Sequence, residues 1–135
     1  RRRWIHVLYD MDYLIYCMSL DSYLYYLWED DTINAFEESL EILKGLIQSS
    51  NVNAPIVLVL TKLDLFEEEI QNHPEKFREF FPDYKGTTMN TYDCAMHVFN
   101  VICSRLDNST CFLGATFASL IENPNAISYI LRQTP

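Results

Sequence analysis

Thr61-Lys62-Leu63-Asp64 is where this sequence concentrates side chains suited to molecular recognition. An ionised aspartate only accepts hydrogen bonds, through two oxygens set side by side. It fits a planar edge that offers two N–H donors, such as N1–H and the 2-amino group of guanine, an edge adenine lacks. A lysine two residues earlier can lay its aliphatic stem along the flat face of a base while its ammonium stays in water. The plain alternative is structural, because aspartate is a good helix cap and a surface lysine needs no ligand. The tetrapeptide alone does not choose between them.

The surrounding elements say where such a turn would sit. Ile56 to Leu60 is an uninterrupted apolar run of strand length, and Tyr13 to Met18 is a second. Both read as strands buried on two faces. Between them, Ile33, Phe36, Leu40, Leu43 and Ile47 step by three and four residues, predicting an amphipathic helix from Asp30 to Gln48. Glu29, Asp30 and Asp31 at its start suit the helix dipole. Residues 49–55 form a loop. Phe66 to His73 reads as a short charged helix or turn, and Pro74 starts another through Phe80. Helical spacing returns from Tyr92 to Leu106, Cys111-Phe112-Leu113 is a brief third strand, and Pro124 to Arg132 is a final helix. Strands separated by helix-length segments predict an α/β fold with a parallel sheet flanked by helices. Ligands of open α/β sheets lie beyond the carboxyl ends of the strands. The turns Thr61–Asp64 and Gly114–Thr116 are thereby expected on one edge.

Composition removes whole classes of function. A net charge of −9 over 135 residues excludes a nucleic-acid partner, whose phosphates demand a basic face. Arg1-Arg2-Arg3 is the only basic cluster and is too short to reverse that. With 49% hydrophobic and 21% charged residues the chain is globular rather than disordered. Cys17, Cys94, Cys103 and Cys111 form no CxxC pair and mostly have apolar neighbours, which predicts small buried thiols in a reducing compartment. Cys94 and His97 stand one helical turn apart, but two further metal ligands are not apparent. No segment has the roughly 18 apolar residues of a membrane span.

Four motifs together carry a family resemblance. Arg1-Arg2-Arg3-Trp4-Ile5-His6 is similar to R-R-K-W-I-H, and Leu65-Phe66-Glu67-Glu68-Glu69-Ile70 to L-F-E-E-K-I. Phe81-Pro82-Asp83-Tyr84-Lys85-Gly86 is similar to Y-P-E-Y-x-G, and Leu113-Gly114-Ala115-Thr116 to T-C-A-T. In that order and near that spacing, the chain resembles the C-terminal half of a heterotrimeric G-protein α subunit. Small Ras- or Rho-type GTPases share the T-K-x-D and alanine loops but lack the first and third motifs. A Rho-type chain is also expected to end in a prenylated cysteine motif, where this one ends Arg132-Gln133-Thr134-Pro135.

The resemblance implies that residues 1–135 are part of a P-loop GTPase (Ras-like) domain, from the end of the second switch to the final helix. It implies GTP or GDP as ligand, bound through Thr61, Lys62, Asp64, Leu65, Ala115 and Thr116. In that set Asp64 accepts from N1–H and the 2-amino group, Lys62 covers the base and ribose, and Ala115 offers its N–H to guanine O6. Thr61 stands where most α subunits have asparagine, and Gly114 where they have cysteine. Arg1, Arg2 and Trp4 resemble the end of the mobile switch that docks on the βγ dimer or on an effector enzyme or channel. The acids Glu29 to Asp31, Glu37 and Glu38 are expected to pair with those arginines. A G protein-coupled receptor is a further implied partner, and the cytosolic face of the plasma membrane the implied location of the full-length protein. The phosphate loop, the Mg²⁺ ligands, the first switch and the catalytic glutamine are expected upstream of Arg1, so no catalytic residue is assigned here. The competing reading is a degenerate GTPase-like interaction module without nucleotide turnover, mildly favoured by Thr61 and by Asn123-Pro124-Asn125 in the final helix.

Overall fold

The computed structural model describes residues 12–48, 55–106 and the backbone of 112–117. Its centre is a three-stranded parallel sheet of β1 (Leu14–Ser19), β2 (Ile56–Thr61) and β3 (Phe112–Phe117), in that order across the sheet. β1 and β2 run in unbroken register from Leu14 opposite Ile56 to Ser19 opposite Thr61. The expected parallel α/β architecture with flanking helices is observed.

β2 lies in the middle because its side chains tolerate nothing else. Ile56 to Leu60 are all buried, so neither face of that strand is free to meet water. Two successive right-handed crossovers in a sheet ordered β1-β2-β3 place their helices on one face. The packing agrees. Ile56, Leu58 and Leu60 join one core with Phe36, Leu40 and Leu43 of α1 (Ala35–Gln48) and Cys94, Val98 and Ile102 of α4 (Thr91–Arg105). Val57 and Val59 face the other way and pack with Ile15.

Between β2 and α4 lie α2 (Leu63–Asn72) and α3 (Pro74–Phe80), which deliver an aromatic cluster. Phe77, completely buried, has ring centroids 6.0 Å from Phe66, 4.9 Å from Phe81 and 5.5 Å from Tyr84. The Phe81–Gly86 motif has a packing reason. Tyr84 donates its hydroxyl to the Thr88 carbonyl at 3.0 Å, and a Cβ on Gly86 would collide with the phenol. His97 of α4 meets the Asp83 carboxylate at 3.3 Å, with its ring against Phe77, Phe81 and Tyr84.

Several expectations need correction. α1 starts at Ala35 rather than Asp30, because Asn34 caps it: its Oδ1 accepts from the N–H of Phe36 (2.9 Å) and Glu37 (3.3 Å). The acids Glu29 to Asp31 lie in the preceding loop, exposed. Glu37 is engaged by Arg105, whose guanidinium meets both of its carboxylate oxygens. That guanidinium's pKa is raised chiefly by the Glu37 hydrogen bonds. α2 begins at Leu63, three residues before the expected Phe66, and β3 continues to Phe117. Cys17 is exposed on β1, against the expectation of buried thiols, whereas Cys94 is buried and burial pushes its thiol up. The expected final helix and the Arg1–His6 motif lie outside the described residues.

Candidate functional site at the carboxyl edge of the sheet

The site begins where β2 ends. Thr61 closes the strand with both of its polar groups turned toward β1. Its carbonyl accepts the N–H of Leu20 at 3.0 Å, and its hydroxyl donates to the Met18 carbonyl at 3.3 Å. The two strand exits are thereby tied together, and the next residue must reverse direction to enter α2.

Lys62 makes that reversal in the left-handed region, with φ 58° and ψ 40°, and no other non-glycine among the described residues has a positive φ. An L-residue pays roughly 1–2 kcal/mol for that conformation. Its carbonyl starts α2 by accepting the Phe66 N–H at 3.0 Å, while its side chain caps nothing and is exposed. Asp64 follows in the first helical turn, partly buried. A carboxylate there is favoured by the helix dipole whether or not a ligand is bound. Leu65, 39% exposed, sits beside it. Among the described residues neither the Lys62 ammonium nor the Asp64 carboxylate makes a hydrogen bond or an ion pair.

β1 brings a buried acid to the same edge. Asp21, 2% exposed, lies just beyond Ser19, whose hydroxyl donates to its carboxylate. Asp21 is the first cause of a raised pKa at Tyr25. Sequence reasoning passed over this pair. The available signal was a strand running directly into Ser19-Leu20-Asp21-Ser22, polar residues at a strand's carboxyl end.

The third strand does not complete the edge as expected. Ala115 pairs with Leu58 and Thr116 with Val59, so both stand inside the ladder rather than in a turn beyond it. At about 3.3 Å per residue they lie roughly 10 and 7 Å short of the Thr61 level. The strand continues through Gly114, Ala115, Thr116 and Phe117, past the expected end at Leu113. Thr61, Lys62, Asp64 and Leu65 are therefore brought together, while Ala115 and Thr116 stand one strand away and further back. Arg1, Arg2 and Trp4 lie outside the described residues.

Among the described residues no three His, Cys, Asp or Glu side chains converge as a metal site would require. No described helix is long and apolar enough to cross a membrane.

Comparison with known proteins agrees with this architecture. The family model described as G-protein alpha subunit matches residues 1–130. The guanine nucleotide-binding protein alpha-2 subunit of Dictyostelium discoideum is 37% identical over 86 residues, which is 64% of this chain and 24% of that protein. The alpha-3 subunit of Caenorhabditis elegans is 35% identical over 94 residues, 69% of this chain and 26% of that protein. The chain spans about a quarter of the length of these curated relatives. Matched over nearly its whole length by that model, and carrying the parallel sheet with a T-K-x-D turn at its carboxyl edge, this chain belongs to the G-protein alpha subunit family.

Proposed function

We propose that these residues supply guanine recognition to a GTP-binding, GTP-hydrolysing signal transducer, as the part of its Ras-like domain that runs from the second switch to the final helix. The observation that carries this is the turn after β2. A strained left-handed Lys62 and an Asp64 carboxylate with no hydrogen-bonding partner among the described residues sit together at the edge where open α/β sheets bind ligands. Strain kept at a lysine whose ammonium, like the neighbouring Asp64 carboxylate, makes no hydrogen bond or ion pair among the described residues points to a functional constraint.

In this reading Asp64 accepts from N1–H and the 2-amino group of guanine, the Lys62 stem lies over the base, and Leu65 shields the contact from one side. Ala115 and Thr116 supply the O6 side, which requires the last residues of β3 to leave the ladder beside Leu58 and Val59. Phosphate and Mg²⁺ binding, and the hydrolytic step, belong to other parts of the protein. Arg1, Arg2 and Trp4 are proposed as part of the surface for the βγ dimer and an effector, with a G protein-coupled receptor as the upstream partner at the cytosolic face of the plasma membrane.

The test is Asp64→Asn in the full-length protein. An amide cannot accept from both guanine donors, and the loss of a buried charged contact costs about 2–5 kcal/mol. GDP and GTP affinity should therefore fall by roughly 30-fold or more. Xanthine offers a carbonyl where guanine has its amine, so the asparagine N–H can meet it and xanthine nucleotides should gain affinity. Unchanged guanine affinity with no xanthine gain would sink the proposal.

Two observations favour a second reading, an interaction module without nucleotide turnover. The Thr61 hydroxyl is spent on β1, and Ala115 is held in β3. Partner binding that survives Asp64→Asn in a protein showing no guanine nucleotide binding would select it.

A further inference from the structure

We propose that Phe66 is the positioning residue of the turn after β2: it fixes the roll of α2 and so aims the Asp64 carboxylate. It thereby sets how strictly guanine is told from a base that lacks the 2-amino group, a role that rests on the base contact proposed for Asp64.

Nothing in the turn itself orients that carboxylate. Asp64 makes no hydrogen bond or ion pair among the described residues, and the Lys62 side chain caps nothing. The helix dipole favours a negative charge there without choosing its direction. Direction is left to the helix. One apolar stripe, Leu63, Phe66 and Ile70, holds α2 to the core. Leu63 is only partly buried, whereas Phe66 is 0% and Ile70 1% exposed. Asp64 follows Leu63 and stands about 100° round the helix from it, on the flank of the stripe. A roll of about 10° carries a carboxylate roughly 5–6 Å from the helix axis by about 1 Å. Hydrogen bonds, whose donor–acceptor distances span only about 2.7–3.2 Å, are lost over such a displacement.

Phe66 is the member of the stripe that resists the roll. Its ring meets two others edge-on, each from a different element. Tyr23, after β1, lies at a centroid distance of 6.4 Å and an interplanar angle of 85°. Phe77 of α3 lies at 6.0 Å and 72°. Phe77 is itself backed by Phe81 and Tyr84, so that wall does not yield easily. Edge-to-face pairs prefer a particular orientation, which aliphatic packing does not impose. Along the backbone, the Phe66 N–H donates to the Lys62 carbonyl at 3.0 Å and closes the first helical turn around Asp64. Ring and main chain of one residue thereby hold the turn from the core side. Ile70, aliphatic and a turn further along, anchors the helix without setting that turn.

The test is calorimetric titration of the full-length protein with GDP and with inosine diphosphate, which lacks the 2-amino group. The parent should prefer GDP by about tenfold or more, as expected for one hydrogen bond to a charged acceptor. Phe66→Leu keeps an apolar side chain but removes both edge-on contacts. Its GDP affinity should fall by about tenfold and its inosine diphosphate affinity by less, so that the preference shrinks to about threefold. Phe77→Leu, which slackens one wall from another helix, should shrink the preference to a lesser degree. Ile70→Val is the control, expected to lower the melting point while leaving the preference as in the parent. Thermal melts establish that each variant is folded. Should Phe66→Leu not fold, Phe66→Met fills the site with a more adaptable side chain and carries the same expectation. A parental preference in a folded Phe66 variant would overturn the proposal and leave the role of Asp64 standing. An equal loss of preference in Ile70→Val would overturn it as well, by making Phe66 one core residue among others. A parent that binds the two nucleotides equally would overturn it together with the base contact of Asp64.

Discussion

Two segments leave the carboxyl edge of this sheet side by side, and they treat their polar groups in opposite ways. After β1, the chain turns inward. Asp21 is buried against Ser19, Tyr23 is driven into the aromatic cluster, and Asn34 satisfies both the Tyr23 carbonyl and the start of α1. After β2, the chain turns outward through a strained Lys62 and leaves an ammonium and a carboxylate with no described partner. One segment uses its chemistry to hold the fold. The other keeps its chemistry available, which is what a ligand site requires.

The largest expected effect tests the first half of that contrast. Tyr23 is 4% exposed, with ring centroids 5.7 Å from Phe81 and 5.8 Å from Phe77. Tyr23→Ala should destabilise the protein by about 3–5 kcal/mol, as other buried aromatic truncations do. Tyr23→Phe should cost little, because the hydroxyl has no hydrogen-bond partner among the described residues. Thermal melts of the two variants check both. If Tyr23→Ala melts with the parent, the segment after β1 is not the structural one. Asp64→Asn should do the reverse, leaving the melt of the nucleotide-free protein nearly in place while guanine affinity collapses.

A smaller effect belongs to Asn34. Its side chain donates to the Tyr23 carbonyl at 2.9 Å and caps α1, so Asn34→Ala removes a cap and strands a buried carbonyl. The expected loss is about 1–2 kcal/mol of unfolding free energy in denaturant titration. Nucleotide affinity should not change. A loss of affinity at matched stability would mean that the two segments act together rather than separately.

Most of this frame was legible in the sequence, and the misses have physical causes. The strands could be read from the apolar runs Ile56–Leu60 and Tyr13–Met18, although only the first is buried on both faces: in β1 Met18 alone is fully buried and Cys17 is exposed. α3 could be read from Pro74, which suits a first helical turn. The start of α1 was misplaced because three acids at 29–31 imitate the charge preference of a helix N-terminus. Asn34, followed three residues later by Glu37, was the better signal. The length of β3 was misread at Gly114. Glycine in a strand permits a turn but does not force one, and the pairing of Ala115 and Thr116 with β2 prevailed. Trp28 carried no periodic signal at all. It is exposed on a loop tied by backbone pairs such as Leu27 with Ile33 and by the side chains of Asp30 and Asn34, none of which shows as a hydrophobic period.

The left-handed Lys62 could not have been foreseen either, since that conformation is the province of glycine and asparagine. It therefore gives the finest test of the contrast. Lys62→Gly relieves roughly 1–2 kcal/mol of backbone strain and returns about 0.5–1 kcal/mol of it through the greater entropy of an unfolded glycine. The net expectation is a gain in stability of about 0 to 1.5 kcal/mol, read as a slightly higher melting point without nucleotide. If the lysine stem covers a base, the same variant must lose guanine-nucleotide affinity while it gains stability. Opposite signs in the two measurements would show that the strain is retained for binding. A variant that gains stability and binds nucleotide as before would make the turn after β2 a connection like the one after β1, and the distinction between the two segments would fall with it.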